Sequence, residues 1–316
     1  MTSESQIFAA PRHVAALDEC WFYHTTDVPG LGNVAGDWDL RGGVDAYLGG
    51  IDLRGKRVLE LGTASGFLCF EMENRGAEVV AFDLAPGIAP DVLPFAGHHD
   101  LGELIAGLAG LMEKLRNSFW LCHRLRESRA KVVYGSIYDL PAGIGPVDVA
   151  TFGSILLHLR DPFLALANAA RFAKESMVVT DLFHGNEWDG RLLGSEYLPP
   201  PPPPHVPPLY YRVVRRFKRV LSGHPAPQPQ ALSPTVPAVA FLPDPADKTL
   251  IHRMNSWWQF TPAVIQRYLG VLGFEDSTIT THTQKFQNGM PVKLFTVVAR
   301  RTRPMPKRID GPYPWY

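Results

Sequence analysis

An α/β architecture around a mainly parallel sheet is expected from three features of the sequence. Short β-branched runs recur along the chain, they are apolar almost throughout rather than alternating, and helical patterns fall between most of them. Continuous apolar runs suit strands buried on both faces, as in parallel sheets whose crossover helices cover each side. The length of 316 residues allows one large domain or two modest ones, and a hydrophobic content of 46% is enough to build a core.

The strand runs are "KRVLEL" (56–61), "AEVVAFD" (77–83), "AKVVYG" (130–135), "VDVATFG" (147–153) and "SMVVTDLF" (176–183). A helix is expected from near Gly66, with Leu68, Cys69 and Met72 on one face and Gly76 as its stop. A second covers 162–173 and opens at Asp161-Pro162, where the missing proline N–H is not needed. A third covers 261–274: Thr261 caps it before Pro262, and Val264, Ile265, Tyr268, Leu269 and Leu272 form the buried stripe. The runs 274–283 and 292–301, joined through "QNGM" (287–290), read as an antiparallel hairpin at one end of the sheet.

Residues 1–50 form a leader ahead of a main domain at 51–316, and two insertions enlarge that domain. The insertion at 87–129 has an amphipathic helical core. The one at 187–256 holds six consecutive prolines (199–204), which favour polyproline II and cannot enter a sheet interior. It reads as a surface excursion carrying a basic helical piece at 209–221.

Lys plus Arg equals Asp plus Glu at 31 each, so no global positive field draws in nucleic acid. The three cysteines are far apart, with neither C-x-x-C nor zinc-type spacing, which fits a reducing cytoplasm. The first residues lack the basic-then-apolar pattern of a secretory signal, and no uncharged apolar run reaches the ~18 residues of a membrane span. The adjacent histidines of "GHHD" (97–100) are weak evidence for a metal, and none is expected.

The chemistry is expected at "RVLELGTASGF" (57–67), a strand breaking into a glycine turn. Such turns let the backbone approach a nucleotide where a Cβ would collide. A dinucleotide fingerprint is disfavoured, because Ala64 and Phe67 stand where its second and third glycines belong, and no G-K-[ST] marks a P-loop. Instead Glu60 precedes Gly62 by two residues, Gly66 closes the turn, and Asp83 ends the next strand, where an acid can accept both ribose hydroxyls.

"VLELGTASGFLCFEMENRGAEVVAFDLAP" resembles the first two motifs of class I S-adenosylmethionine-dependent methyltransferases. "VVYGSIYDLP" (132–141) and "VDVATFGSILLHLRDP" (147–162) resemble two later segments of that family, in the same order. The resemblance implies a Rossmann-like sheet of seven strands, the last antiparallel, with helices on both faces. It also implies S-adenosylmethionine as cofactor and S-adenosylhomocysteine as product. By resemblance Glu60, Gly62, Thr63, Ala64 and Gly66 surround the methionine part, and Asp83 and Leu84 the ribose. Ser136 and Ile137 would meet the adenine, Ser136 standing where the family commonly has aspartate.

Ligands in open α/β sheets bind beyond the carboxyl ends of the strands, so candidates for the acceptor side lie just after strands. His158 and His184 follow the fourth and fifth strands; each is either a general base or a backbone-bonded histidine. In the aromatic leader, Tyr23, His24, Asp27 and Trp38 either form a lid or pack on the flank of the sheet, and His24 is a third candidate base. Trp120, Trp257 and Trp258 are candidates for an apolar acceptor pocket, with core packing as the alternative. The arginines of 116–131 and of 209–221 either meet an anionic acceptor or lie on a solvated face.

A small-molecule acceptor, a secondary metabolite or sugar-type precursor, is the expectation. A second resemblance, carried by "DWDLR", "GSILLHLRDP" and "NSWWQFTPAVIQRYLGVLGFED", is to enzymes that transfer carboxymethyl to the wobble uridine of tRNA. A cofactor-binding protein without catalysis is a third possibility. Oligomeric state stays open, since the aromatic "GPYPWY" end can dock on a neighbour or on its own domain.

Overall fold

The computed structural model describes residues 7–95, 101–183, 235–243 and 256–305. The leader contributes β1 (Thr26–Val28), β2 (Gly32–Val34), β3 (Trp38–Asp39) and the short α1 (Val44–Tyr47). Then come β4 (Arg57–Leu61), α2 (Phe67–Asn74), β5 (Glu78–Leu84), α3 (Leu101–Leu125), β6 (Lys131–Gly135), β7 (Val147–Gly153), α4 (Pro162–Ala170) and β8 (Ala173–Leu182). The chain continues through β9 (Val239–Phe241), β10 (Trp258–Phe260), α5 (Pro262–Val271), β11 (Asp276–Phe286) and β12 (Pro291–Arg300).

The central sheet has eight strands in the order β3-β11-β12-β8-β7-β4-β5-β6. Strands β4 to β8 pair in parallel, and β12 runs antiparallel between β8 and β11. Seven of these strands, the last in sequence reversed, form the Rossmann-like sheet of the class I methyltransferase fold that the motifs imply. The eighth is a leader piece too short to leave a sequence pattern: Trp38 and Asp39 pair with Phe286 and Lys285, and the Trp38 ring lies 4.0 Å from that of Phe286.

The strands are apolar throughout because both faces are covered. Val58, Val79, Val132 and Val149 join one core with residues of α2 and α3. Their neighbours Leu59, Val80, Val133 and Ala150 join a second core with residues of α4 and α5. Capping follows the sequence signals: the Asp161 carboxylate accepts from Leu164 N at 2.9 Å, and the Thr261 hydroxyl from Val264 N at 3.3 Å. The expected helix over 162–173 stops at Ala170, because β8 starts earlier than its apolar run, at Ala173, which pairs with Val147. Within the insertion at 87–129 the helical core is the 25-residue α3. The proline run, the basic piece at 209–221 and "GHHD" lie outside the described residues.

Candidate active site

The site is built at the carboxyl ends of β4 to β7. After Leu61 the chain turns through Gly62 (φ +82°), Ala64 (φ +50°) and Gly66 (φ +86°). A Cβ at Gly62 would come within 2.3 Å of Ile155 Cδ1, and one at Gly66 within 2.6 Å of the Phe70 ring, so both positions require glycine for space as well as backbone sign. The turn is fastened to the next strand: Gly62 N donates to Phe82 O at 2.8 Å. Asp83 supplies a second tie, its Oδ2 accepting from Ala64 N at 2.8 Å and its Oδ1 from Leu84 N at 2.7 Å.

Beyond these strand ends lies a cavity of about 400 Å³. Gly62 and Ala64 line it from β4, Asp83 and Leu84 from β5, Ser136 and Ile137 from β6, and Ser154, Ile155 and His158 from β7. Tyr23 of the leader, Asp91 of the segment after β5, Tyr138 after β6 and Leu108, Met112 and Leu115 of α3 also line it. Sequence reasoning did not mark these α3 residues, because amphipathicity shows that a helix buries one face but not which cavity that face borders.

The electrostatics are those of carboxyl groups withdrawn from water. Burial raises the Asp83 carboxyl above its usual range, opposed by its two backbone donors and by the charge of Arg116. Burial lifts Glu60 further, to about 7, eased by the adjacent Thr63 hydroxyl and reinforced by Asp83. Glu60 Oε2 and Thr63 Oγ1 have no well-formed hydrogen bond. Glu60 faces a small void of about 10 Å³, shared with Tyr47, Thr151 and Thr180, and Gly62 and Gly153 line both that void and the large cavity. Thr63 and Gly66 lie within the turn and do not line the large cavity.

The remaining sequence candidates are scattered more widely. His158 ends a 3-10 turn (Leu156–His158) and borders the cavity; His184 lies outside the described residues. His24 sits beside the turn, its backbone N donating to Ser65 Oγ at 3.4 Å and its ring 5.6 Å from that of Phe67. Burial lowers its pKa to about 3, its Nδ1 is buried without a hydrogen-bond partner, and it does not line the cavity. Trp38 packs on Phe286, and Trp120 lies in the core against Phe119 and His123; neither lines the cavity. Trp257 and Trp258 stand behind the cavity wall, their indole N–H groups donating to Asp91 O at 3.3 Å and Leu159 O at 2.9 Å.

Arg116 and Arg124 of α3, and Arg126 just after it, make contacts within the chain. Arg116 pairs with Glu113 at 2.8 Å and donates to Leu84 O at 3.3 Å. Arg124 donates to Val14 O, and Arg126 to Thr26 Oγ1 and Asp27 O. These contacts strap the leader across α3, which brings Tyr23 to the cavity. Asp27 itself is exposed and pairs with Arg41 at 3.2 Å.

The sheet order, with its one reversed strand, is that of the Rossmann-like methyltransferase fold. No family model matches the chain, and no curated protein matches it. Among solved structures it is similar to the N-terminal domain of EvdMO1 with SAH bound (14% identity, 89% of this chain and 91% of that one, TM-score 0.49). It is also similar to magnesium protoporphyrin IX methyltransferase from Synechocystis PCC 6803 with bound SAH (13% identity, 83% and 82%, TM-score 0.41). A third is 1,6-didemethyltoxoflavin-N1-methyltransferase of Burkholderia thailandensis with S-adenosylhomocysteine (12% identity, 84% and 78%, TM-score 0.43).

Proposed function

We propose that this chain is an S-adenosylmethionine-dependent methyltransferase acting on a small-molecule acceptor. The observation that carries the reading is Asp83: a carboxylate at the tip of β5, tied to the glycine turn and facing the large cavity. The residues present fit the cofactor. Asp83 offers acceptors for vicinal hydroxyls, and Leu84, Ile137 and Leu115 give an apolar slot for a planar base. Glu60 and Thr63 keep unpartnered polar atoms beside Gly62 but do not line the large cavity, which leaves the backbone of Gly62 and Ala64 to face the charged amino-acid end.

When bound, the sulfonium supplies an activated methyl group, so the chain's work is alignment and exclusion of water, effects worth up to ~7–11 kcal/mol in favourable systems. Gly62 and Ala64 allow close backbone approach, Asp83 fixes position along the cavity, and Tyr23 closes the side facing the leader. His158 borders the cavity and is the candidate to take a proton where the acceptor must lose one. The contacts of Arg116, Arg124 and Arg126 within the chain favour a small molecule over RNA at this patch.

A cytoplasmic location accords with three unpaired cysteines, two of them buried. No described helix is long and apolar enough to cross a membrane.

The test is transfer of label from methyl-labelled S-adenosylmethionine into a host extract, separated into small-molecule, RNA and protein fractions, with Asp83→Ala as the blank. Label in small molecules, lost in the variant, is expected. Label confined to RNA would replace this acceptor class by tRNA, and an unlabelled extract would point to binding without catalysis.

A further inference from the structure

Past Asp83 the cavity is lined by Leu84 and by the turn Ser136–Ile137–Tyr138 that follows β6, which the cofactor reading makes its base end. Ser136 is the sequence candidate for reading the base, but its hydroxyl is engaged within the turn, accepting from Tyr138 N at 3.3 Å. A different acceptor stands at this end: Asp91, half-buried on the cavity wall. It comes from the insertion after β5, and three segments of the chain hold it. Its Oδ2 accepts from the Tyr138 hydroxyl and from Arg160 N at 2.8 Å, and Trp257 Nε1 donates to its carbonyl at 3.3 Å. Tyr138 is fixed in turn, its hydroxyl accepting from Asp161 N at 3.2 Å while the Arg160 guanidinium lies 5.7 Å from its ring centre. Among the described residues no donor is bonded to Asp91 Oδ1.

We infer that Asp91 is the specificity residue for the base, its Oδ1 accepting a hydrogen bond from the exocyclic amino group of adenine. The inference rests on the cofactor reading above. An ionised carboxylate only accepts, so it pairs with a base that carries an amino group and repels one that carries a carbonyl there. Its position is set before binding by the Tyr138 and Arg160 contacts, so little ordering is left to be done when the ligand enters.

The experiment measures calorimetric affinities for S-adenosylhomocysteine and S-inosylhomocysteine, in which a carbonyl replaces the amino group. Wild type, Asp91→Asn and Asp91→Ala are compared, with thermal melts to check folding. Wild type should prefer the adenosyl ligand by about tenfold or more, as expected for a hydrogen bond to a charged group. Asp91→Asn keeps the shape and an acceptor for Tyr138 while presenting an amide donor, and should bring the ratio to one or below. Asp91→Ala should bring it to about one; should that variant not fold, the asparagine variant decides alone. Equal wild-type affinities, or variants that weaken both ligands and keep the wild-type ratio, overturn the proposal and leave Asp91 as a wall staple. Wild type that binds neither ligand overturns the cofactor reading itself, a different result from binding without discrimination.

Discussion

Asp83 does two things with one carboxylate: it holds the turn through Ala64 N and presents acidic oxygen to the cavity. Asp83→Ala should therefore lose both, with S-adenosylhomocysteine affinity down by about tenfold or more and stability lower by about 1–3 kcal/mol, read by calorimetry and melting. Glu60 behaves differently. Its folded pKa of about 7 lies above its unfolded value, so the folded state holds a proton that the unfolded state releases. Its contribution to stability is thus greatest at low pH and falls as pH rises from about 4.5 to about 7. Glu60→Gln, which cannot ionise, should flatten that fall and be more stable than wild type at pH 8 by on the order of 1–3 kcal/mol in urea titrations. His24 has the opposite sign: its pKa of about 3 lies below the unfolded value, so its contribution is present above about pH 6.5 and lost as pH falls toward 3. His158→Ala should abolish turnover and leave cofactor binding intact; near-normal turnover would remove His158 from the mechanism. The glycine turn and Asp83 were legible in the sequence because spacing along one strand-turn-helix fixes them. Asp91 was not, since its partners Tyr138, Arg160 and Trp257 come from three distant segments and no local pattern links them.

Helices and strands were legible wherever periodicity or capping chemistry marked them. The glycine at the head of α2 is a case: Gly66 is both left-handed and enclosed, so Gly66→Ala should cost about 1–3 kcal/mol in a denaturant melt. The strap between leader and α3 was not legible, because a run of arginines looks the same whether its guanidinium groups meet water, phosphate or carbonyl oxygens. Here Arg126 reaches Thr26 and Asp27, Asn117 reaches Glu19 O, and Ser118 reaches Trp21 O. Arg126→Ala should release β1 locally: hydrogen exchange at 24–34 should speed up several-fold while β4 and β7 stay protected. Unchanged exchange there would mean that packing alone holds the leader.

At the scale of the whole chain, the order of strands in the sheet follows from motif order together with one hairpin. What motif order does not determine is the leader's edge strand, whose two residues give no pattern. Charge balance also belongs at this scale. With equal numbers of acidic and basic residues, binding to bulk tRNA should stay weak at physiological salt, and a steep salt dependence in filter binding would contradict the small-molecule reading.

The place of β12 has a consequence for synthesis. The last of the sheet strands to leave the ribosome is not an outer one: it fills the gap between β8 and β11. Until residues 291–300 emerge, β8 presents an open row of backbone donors and acceptors, and β11 has nothing to join it to the parallel strands. The nascent chain must therefore wait, apolar and unsealed, for its final pairing, a long-range closure of the kind that slows folding and invites aggregation.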